Sequence, residues 1–149
     1  MSKYDNAIKI MTERFDHDTP IAIATVDGAK PYVRTVDGYY EDGAFYVVTY
    51  ALSNKMRQIA KNPEVAISGD WFSGHGIGEN LGWVLDEKNT EIMAKLREVF
   101  ASWYTGGHVH EDDQNTCVLR VKLTDGVIID NDMKYGEWQF IVDFVNKTA

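Results

Sequence analysis

Ile21-Ala-Ile-Ala-Thr-Val26, Asp27-Gly28, Pro31-Tyr-Val-Arg-Thr-Val36, Glu41-Asp-Gly43, Ala44-Phe-Tyr-Val-Val-Thr-Tyr50, Ser53-Asn-Lys-Met-Arg-Gln-Ile-Ala-Lys-Asn-Pro63 and Glu64-Val-Ala-Ile-Ser68 follow one another along the chain. They read as strand, turn, strand, turn, strand, short helix, strand. Asp27-Gly28 and Asp42-Gly43 are hairpin signals, because glycine takes positive φ without steric cost. Val33, Val36 and Phe45–Val48 have the β-branched and aromatic content of buried strands. Ser53 is a good N-cap for a helix over Asn54–Lys61, and Asn62-Pro63 stops it. This order brings Arg34, Thr49, Ser53 and Lys55 to the ends and edges of neighbouring elements. An arginine fork, a lysine point charge and free N–H groups at a helix start are what an anionic, phosphorylated ligand needs.

Upstream, Ala7, Ile8, Ile10, Met11 and Phe15 recur at helical spacing and predict an amphipathic helix over residues 4–15, with Ser2 or Asp5 near its start. Asp16-His-Asp-Thr-Pro20 ends it. Downstream, Glu64–Phe72 reads as a strand, Ser73–Gly82 as a glycine-rich connection, and Trp83-Val84-Leu85 as strand again. Asn89–Tyr104 carries Ile92, Met93, Leu96, Val99, Phe100 and Trp103 on one face of a helix, closed by Gly106-Gly107. Thr116–Leu123, Val127–Asp130 and Trp138–Phe144 read as three more strands, with Thr124-Asp-Gly126 turning between the first two. Seven or eight mostly antiparallel strands and three helices predict a mainly β fold. A closed or split β-barrel with flanking helices leaves such strands without exposed edges.

With 149 residues the chain has the length of one domain. A formal net charge of −8 argues against broad nucleic-acid binding and against docking on anionic membranes, but it leaves room for a small basic pocket. The single cysteine, Cys117, allows no internal disulfide; its alternating apolar setting reads as a small buried strand residue rather than a nucleophile. No segment has the length of a membrane span, the first residues are polar where a signal peptide would be apolar, and a cytoplasmic protein is expected.

Other constellations are less directed. Gly74-x-Gly76-x-Gly78 lacks dinucleotide-fingerprint spacing and reads as a bulged turn or a close strand crossing; a phosphate-cradling loop is the alternative. His108-x-His110-Glu111-Asp112-Asp113 reads as a solvated loop rather than a zinc or nickel site, since only His17 and His75 remain as further imidazoles. Trp71, Phe72, Trp83, Phe100, Trp103, Tyr104 and Trp138 are read mostly as core or interface residues, and four tryptophans favour a protein contact. No nucleophilic triad or catalytic carboxylate pair emerges, so catalytic residues stay unassigned.

The element order and the residues at Arg34, Thr49, Ser53 and Lys55 resemble the flavin-binding split-barrel family related to pyridoxamine 5'-phosphate oxidase, closely over the first half and loosely over the second. The resemblance implies a six-stranded antiparallel split barrel forming a single FMN-binding domain over residues 1–149, and a homodimer with FMN sites at the subunit interface. Arg34 and Lys55 would grip the phosphate, Ser53 and Asn54 would open the helix beneath it, and Thr35, Val36, Thr49 and Tyr50 would line the ribityl chain and flavin ring. Glu79, Asn80 and Trp83 would lie near the second subunit's flavin. The oxidases proper carry an arginine–histidine substrate motif near the C-terminus, whereas this chain has neither residue after Arg120. The resemblance therefore implies an FMN-dependent oxidoreductase of the short, general-stress-protein type acting on an unnamed small substrate. A non-catalytic flavin- or haem-binding protein with a stress or sensing role is the alternative; relatives also use F420, and haem would turn attention to His75 and His108. A small barrel module without cofactor is the third reading.

Overall fold

The computed structural model describes residues 1–149. Helix α1 (Lys3–Phe15) starts with a capping box, in which Ser2 Oγ accepts from the Asp5 N–H and the Asp5 carboxylate accepts from Ser2. The strands are β1 (Thr19–Asp27), β2 (Lys30–Glu41), β3 (Ala44–Tyr50), β4 (Glu64–Gly69), β5 (Phe72–Trp83), β6 (Thr116–Ile129) and β7 (Gln139–Asp143). Helix α2 (Asn54–Lys61) joins β3 to β4; α3 (Thr90–Val99) and the single turn α4 (Ala101–Tyr104) join β5 to β6. All pairings are antiparallel, in the order β3-β2-β1-β4-β5-β6-β7, and β3 also pairs with β6. Six strands thus close into a barrel and β7 extends the sheet beside the second half of β6. No helix is long and apolar enough to cross a membrane.

The barrel is split between β2 and β3. From Lys30 to Gly38, β2 pairs with β1, but it pairs with β3 only over Tyr39–Glu41. Beyond that corner β3 turns to β6, and α2 packs on β1 and β5 while its Gln58 and Lys55 reach Arg34 of β2 and Thr49 of β3. The inward register explains the core: Ile21 and Ile23, Phe45 and Val47, and Cys117, Leu119 and Val121 are buried at every second position. Phe15 of α1 plugs one end against Phe45 and Phe72, at centroid distances of 5.3 and 6.1 Å. Truncating a fully buried phenylalanine of this kind costs about 3–5 kcal/mol. Arg14 ties α1 to the barrel by donating to the carbonyls of Asp70, Trp71 and Ile129. A second core forms outside the barrel, where Met93, Leu96, Phe100 and Tyr104 pack on Tyr39, Val84 and Val118.

Four sequence expectations are corrected. The strand from Glu64 ends at Gly69; Asp70 and Trp71 make the turn, with Trp71 at φ +51°. The glycine-rich run is no turn but the interior of β5, hydrogen-bonded to β4 on one side and β6 on the other, and only the close-strand-approach half of its reading stands, at Gly74 and Gly76. Thr124-Asp-Gly126 is no turn: β6 is continuous, with Thr124 the extra residue of a bulge opposite His75 and Gly76. The helix from Asn89 breaks at Phe100, whose φ of −94° and ψ of 16° separate α3 from α4. Of the aromatics, Phe72, Phe100 and Tyr104 are core, while Trp71 and Trp138 are exposed.

Candidate functional site

At the mouth nearest α2 the inward-facing register changes from apolar to polar. Thr25 follows Ile21 and Ile23 on β1, Thr49 follows Phe45 and Val47 on β3, and Arg34 lies opposite Ile23 on β2. Helix α2 turns Met56 and Ile59 into the core and brings Lys55 and Gln58 to the polar mouth. Ser53 accepts from the Met56 N–H at 3.4 Å, so it caps the helix as the sequence implies.

Lys55 is only 8 % exposed, and its Nζ donates to Thr49 Oγ1 at 2.6 Å. Burial holds its pKa below the ordinary lysine value, and the like charge of Arg34 adds to that depression. Arg34 Nη1 donates to Thr25 Oγ1 at 2.7 Å and to the Ile23 carbonyl at 3.3 Å, and Nη2 donates to Gln58 Oε1 at 3.2 Å. The Thr25 hydroxyl donates to the same Gln58 oxygen. Burial also lowers the Arg34 pKa. The four Lys or Arg ion pairs of the chain and its two His–Asp contacts all lie elsewhere, so neither cation has a carboxylate. Two desolvated, unneutralised positive charges in a protein of net charge −8 are expensive unless a bound anion completes them.

The other residues singled out from the sequence lie on the same elements, but not all of them face this pair. Val36 packs against the barrel core. Thr35 lies on the outward face of β2, opposite in direction to Arg34, and Asn54 is exposed at the first turn of α2. Tyr50 is 42 % exposed and borders a cleft of about 180 Å³ with Thr49, His108, His110 and Asp113. Thr25 and Gln58 were missed. The signal was available, since Thr25 continues an i, i+2 inward register and Gln58 stands one helical turn from Lys55.

Cys117 is buried opposite Thr49, and burial pushes its thiol up to about 11, which disfavours a thiolate nucleophile. His108 and His110 lie in the loop before β6, and no group of three or more His, Cys, Asp or Glu gathers into metal-binding geometry. That loop is anchored through Glu111, which accepts from Arg97 Nε at 2.8 Å and the Tyr104 hydroxyl at 2.5 Å, while its carbonyl accepts from Trp83 Nε1 at 2.7 Å. The largest groove, about 950 Å³, lies apart between α3 and the barrel wall; its Arg120 is already paired with Glu79 at 2.6 Å.

The family model described as pyridoxamine 5'-phosphate oxidase matches residues 9–128. The chain belongs to this family. No curated protein sequence matches it. General stress protein 26 from Bacillus anthracis superposes with a TM-score of 0.63 at 18% identity, over 81% of this chain and 92% of that one. A FAD-binding protein from Mesorhizobium loti gives 0.61 at 14% identity, covering 79% and 90%. A heme binding protein from Mycobacterium smegmatis gives 0.64 at 12% identity, over 89% of this chain and 55% of that one. At these identities the neighbours show a shared split-barrel fold.

Proposed function

We propose that residues 1–149 form one FMN-binding split-barrel domain and that the protein is an FMN-dependent oxidoreductase acting on a small molecule. The observation that carries this reading is the pair Arg34 and Lys55, both desolvated and neither neutralised by an acidic group. A phosphate dianion answers that pair in charge and in donor geometry. Arg34 and Lys55 hold the phosphate, the α2 N-terminus at Ser53 and Asn54 adds N–H donors, and Thr49 and Tyr50, with the backbone of Thr35 and Val36, border the rest of the cofactor. Bound FMN supplies the electron or hydride transfer; the chain's own residues bind it, orient it and keep water from its phosphate. Family membership supports a flavin, as does a structural neighbour named for FAD binding.

The same reading makes the protein a homodimer. The outward face of the barrel aligns Val33, Ala24, Ala66 and His75 in one cross-strand row and Thr35, Ala22, Ser68, Ser73, Val127 and Ile141 in the next. Val33 is 70 % and Ile141 67 % exposed at the rim of a shallow hollow of about 380 Å³ floored by small side chains, a face with apolar prominences suited to a second copy. Thr35 lies in that face, so a flavin beside β2 would touch both subunits. The double variant Val33→Asp/Ile141→Asp is expected to run as a monomer by light scattering and to lose FMN, with little change in far-ultraviolet circular dichroism; a dimer that persists would refute this interface.

An absorbance spectrum of the purified protein, followed by titration of the apoprotein with FMN, F420 and haem, tests the function. A flavin spectrum released as FMN on denaturation, with saturable rebinding, is expected. A protein that ignores FMN overturns the reading, and a haem band would favour the haem-binding alternative, in line with the mycobacterial neighbour named for heme binding.

A further inference from the structure

The half-buried Arg34 fork is held by neutral oxygens alone: the Ile23 carbonyl, the Thr25 hydroxyl and the Gln58 amide oxygen. Thr25 is 1 % and Gln58 8 % exposed, so water does not share these contacts freely. A guanidinium has only donors, so Gln58 must face it with Oε1, and that oxygen accepts from both Arg34 and Thr25. A glutamate at position 58 would reach the same two donors and would cancel the charge. An acidic partner would be the usual answer for an arginine in such a place, and the chain is rich in acids, with 23 Asp and Glu. What the geometry provides instead is orientation without neutralisation.

We infer that Thr25 and Gln58 are positioning residues that fix the Arg34 fork while leaving its charge for the ligand, and that they thereby set the site's selectivity for a phosphate monoester over its dephosphorylated counterpart. This rests on the FMN reading above and deepens it. The selectivity comes from the difference between two cations awaiting a dianion and a site already partly neutral. A neutral ligand such as riboflavin gains nothing from the free charge, whereas FMN does.

The test is fluorescence titration of apoprotein with FMN and with riboflavin, at one pH and ionic strength, for the wild type, Gln58→Glu, Thr25→Val and Thr25→Ser. The wild type is expected to prefer FMN by about tenfold or more, with inorganic phosphate competing against FMN. Gln58→Glu should weaken FMN by about tenfold, leave riboflavin within about twofold, and keep or raise the melting temperature. Thr25→Val should lose part of the preference and Thr25→Ser should retain it. If Gln58→Glu keeps the wild-type ratio of FMN to riboflavin affinity, the inference falls while the phosphate site stands. Equal weakening of both ligands shows a merely structural role and overturns it as well. A wild type that binds both ligands equally overturns the inference and the phosphate reading together.

Discussion

Lys55→Met should weaken FMN binding at least tenfold, about 1.4 kcal/mol or more, while raising the melting temperature of the apoprotein. Both effects have one cause. Lys55 is held in a site that depresses its pKa, by burial first and by Arg34 second, with Thr49 as its single hydrogen-bond partner. Without an anion this charge destabilises the fold; with one it anchors the ligand. Methionine keeps the unbranched apolar stem and removes the charge. The pH dependence follows from linkage. Between the depressed folded value and about 10.4 the unfolded chain binds the extra proton, so the Lys55 contribution to apoprotein stability rises with pH through that window. Cys117 acts oppositely, since its raised folded pKa lowers stability as pH climbs above about 8.5. The difference between wild type and Lys55→Met, measured by thermal melts from pH 7 to 10, isolates the lysine and should shrink with rising pH. Arg34→Ala should also cost at least tenfold in FMN affinity. Unchanged affinity in both variants would discard the site, and a Lys55→Met apoprotein that melts lower would contradict the account of an unneutralised charge.

The local half of this site was legible because its determinants are local. Turn glycines, a serine cap and an Asn-Pro stop are short-range signals, and they placed Arg34, Ser53 and Lys55 on the right elements. The barrel itself follows from strand count and alternation. What stayed hidden depends on pairing between distant segments. Gln58 meets Arg34 across 24 positions, and Thr25 becomes polar lining only because β1 and β2 pair in the register that sets Ile23 opposite Arg34. Thr124-Asp-Gly126 resembles a turn by composition, yet β5 and β7 hydrogen-bond to either side of β6 there and hold it extended. Compositional turn signals lose to a ladder satisfied on both edges.

The glycine-rich strand gives the other large effect. Gly74→Ala is expected to destabilise the protein by about 1–3 kcal/mol. Gly74 faces Gly126 across β5 and β6, and the Phe72 ring lies over both. A Cβ on Gly74 would come within 2.5 Å of the Asp125 carbonyl oxygen and 2.8 Å of Phe72 Cζ. The carbonyl belongs to a paired backbone beside the Thr124 bulge, so relief requires moving the strand rather than a side chain. Gly76→Ala meets the same obstacle at the Lys122 carbonyl, 2.8 Å away. Gly78→Ala is the control, because its new methyl would meet only the Ile59 side chain at 3.0 Å. The expected order in chemical denaturation is therefore large losses for Gly74→Ala and Gly76→Ala and a smaller one for Gly78→Ala. These glycines permit close backbone approach where the sheet crosses from the barrel to β7. A phosphate-cradling loop would give the reverse pattern, with stability unchanged in all three variants and FMN binding lost, and that outcome would return the run to the binding site.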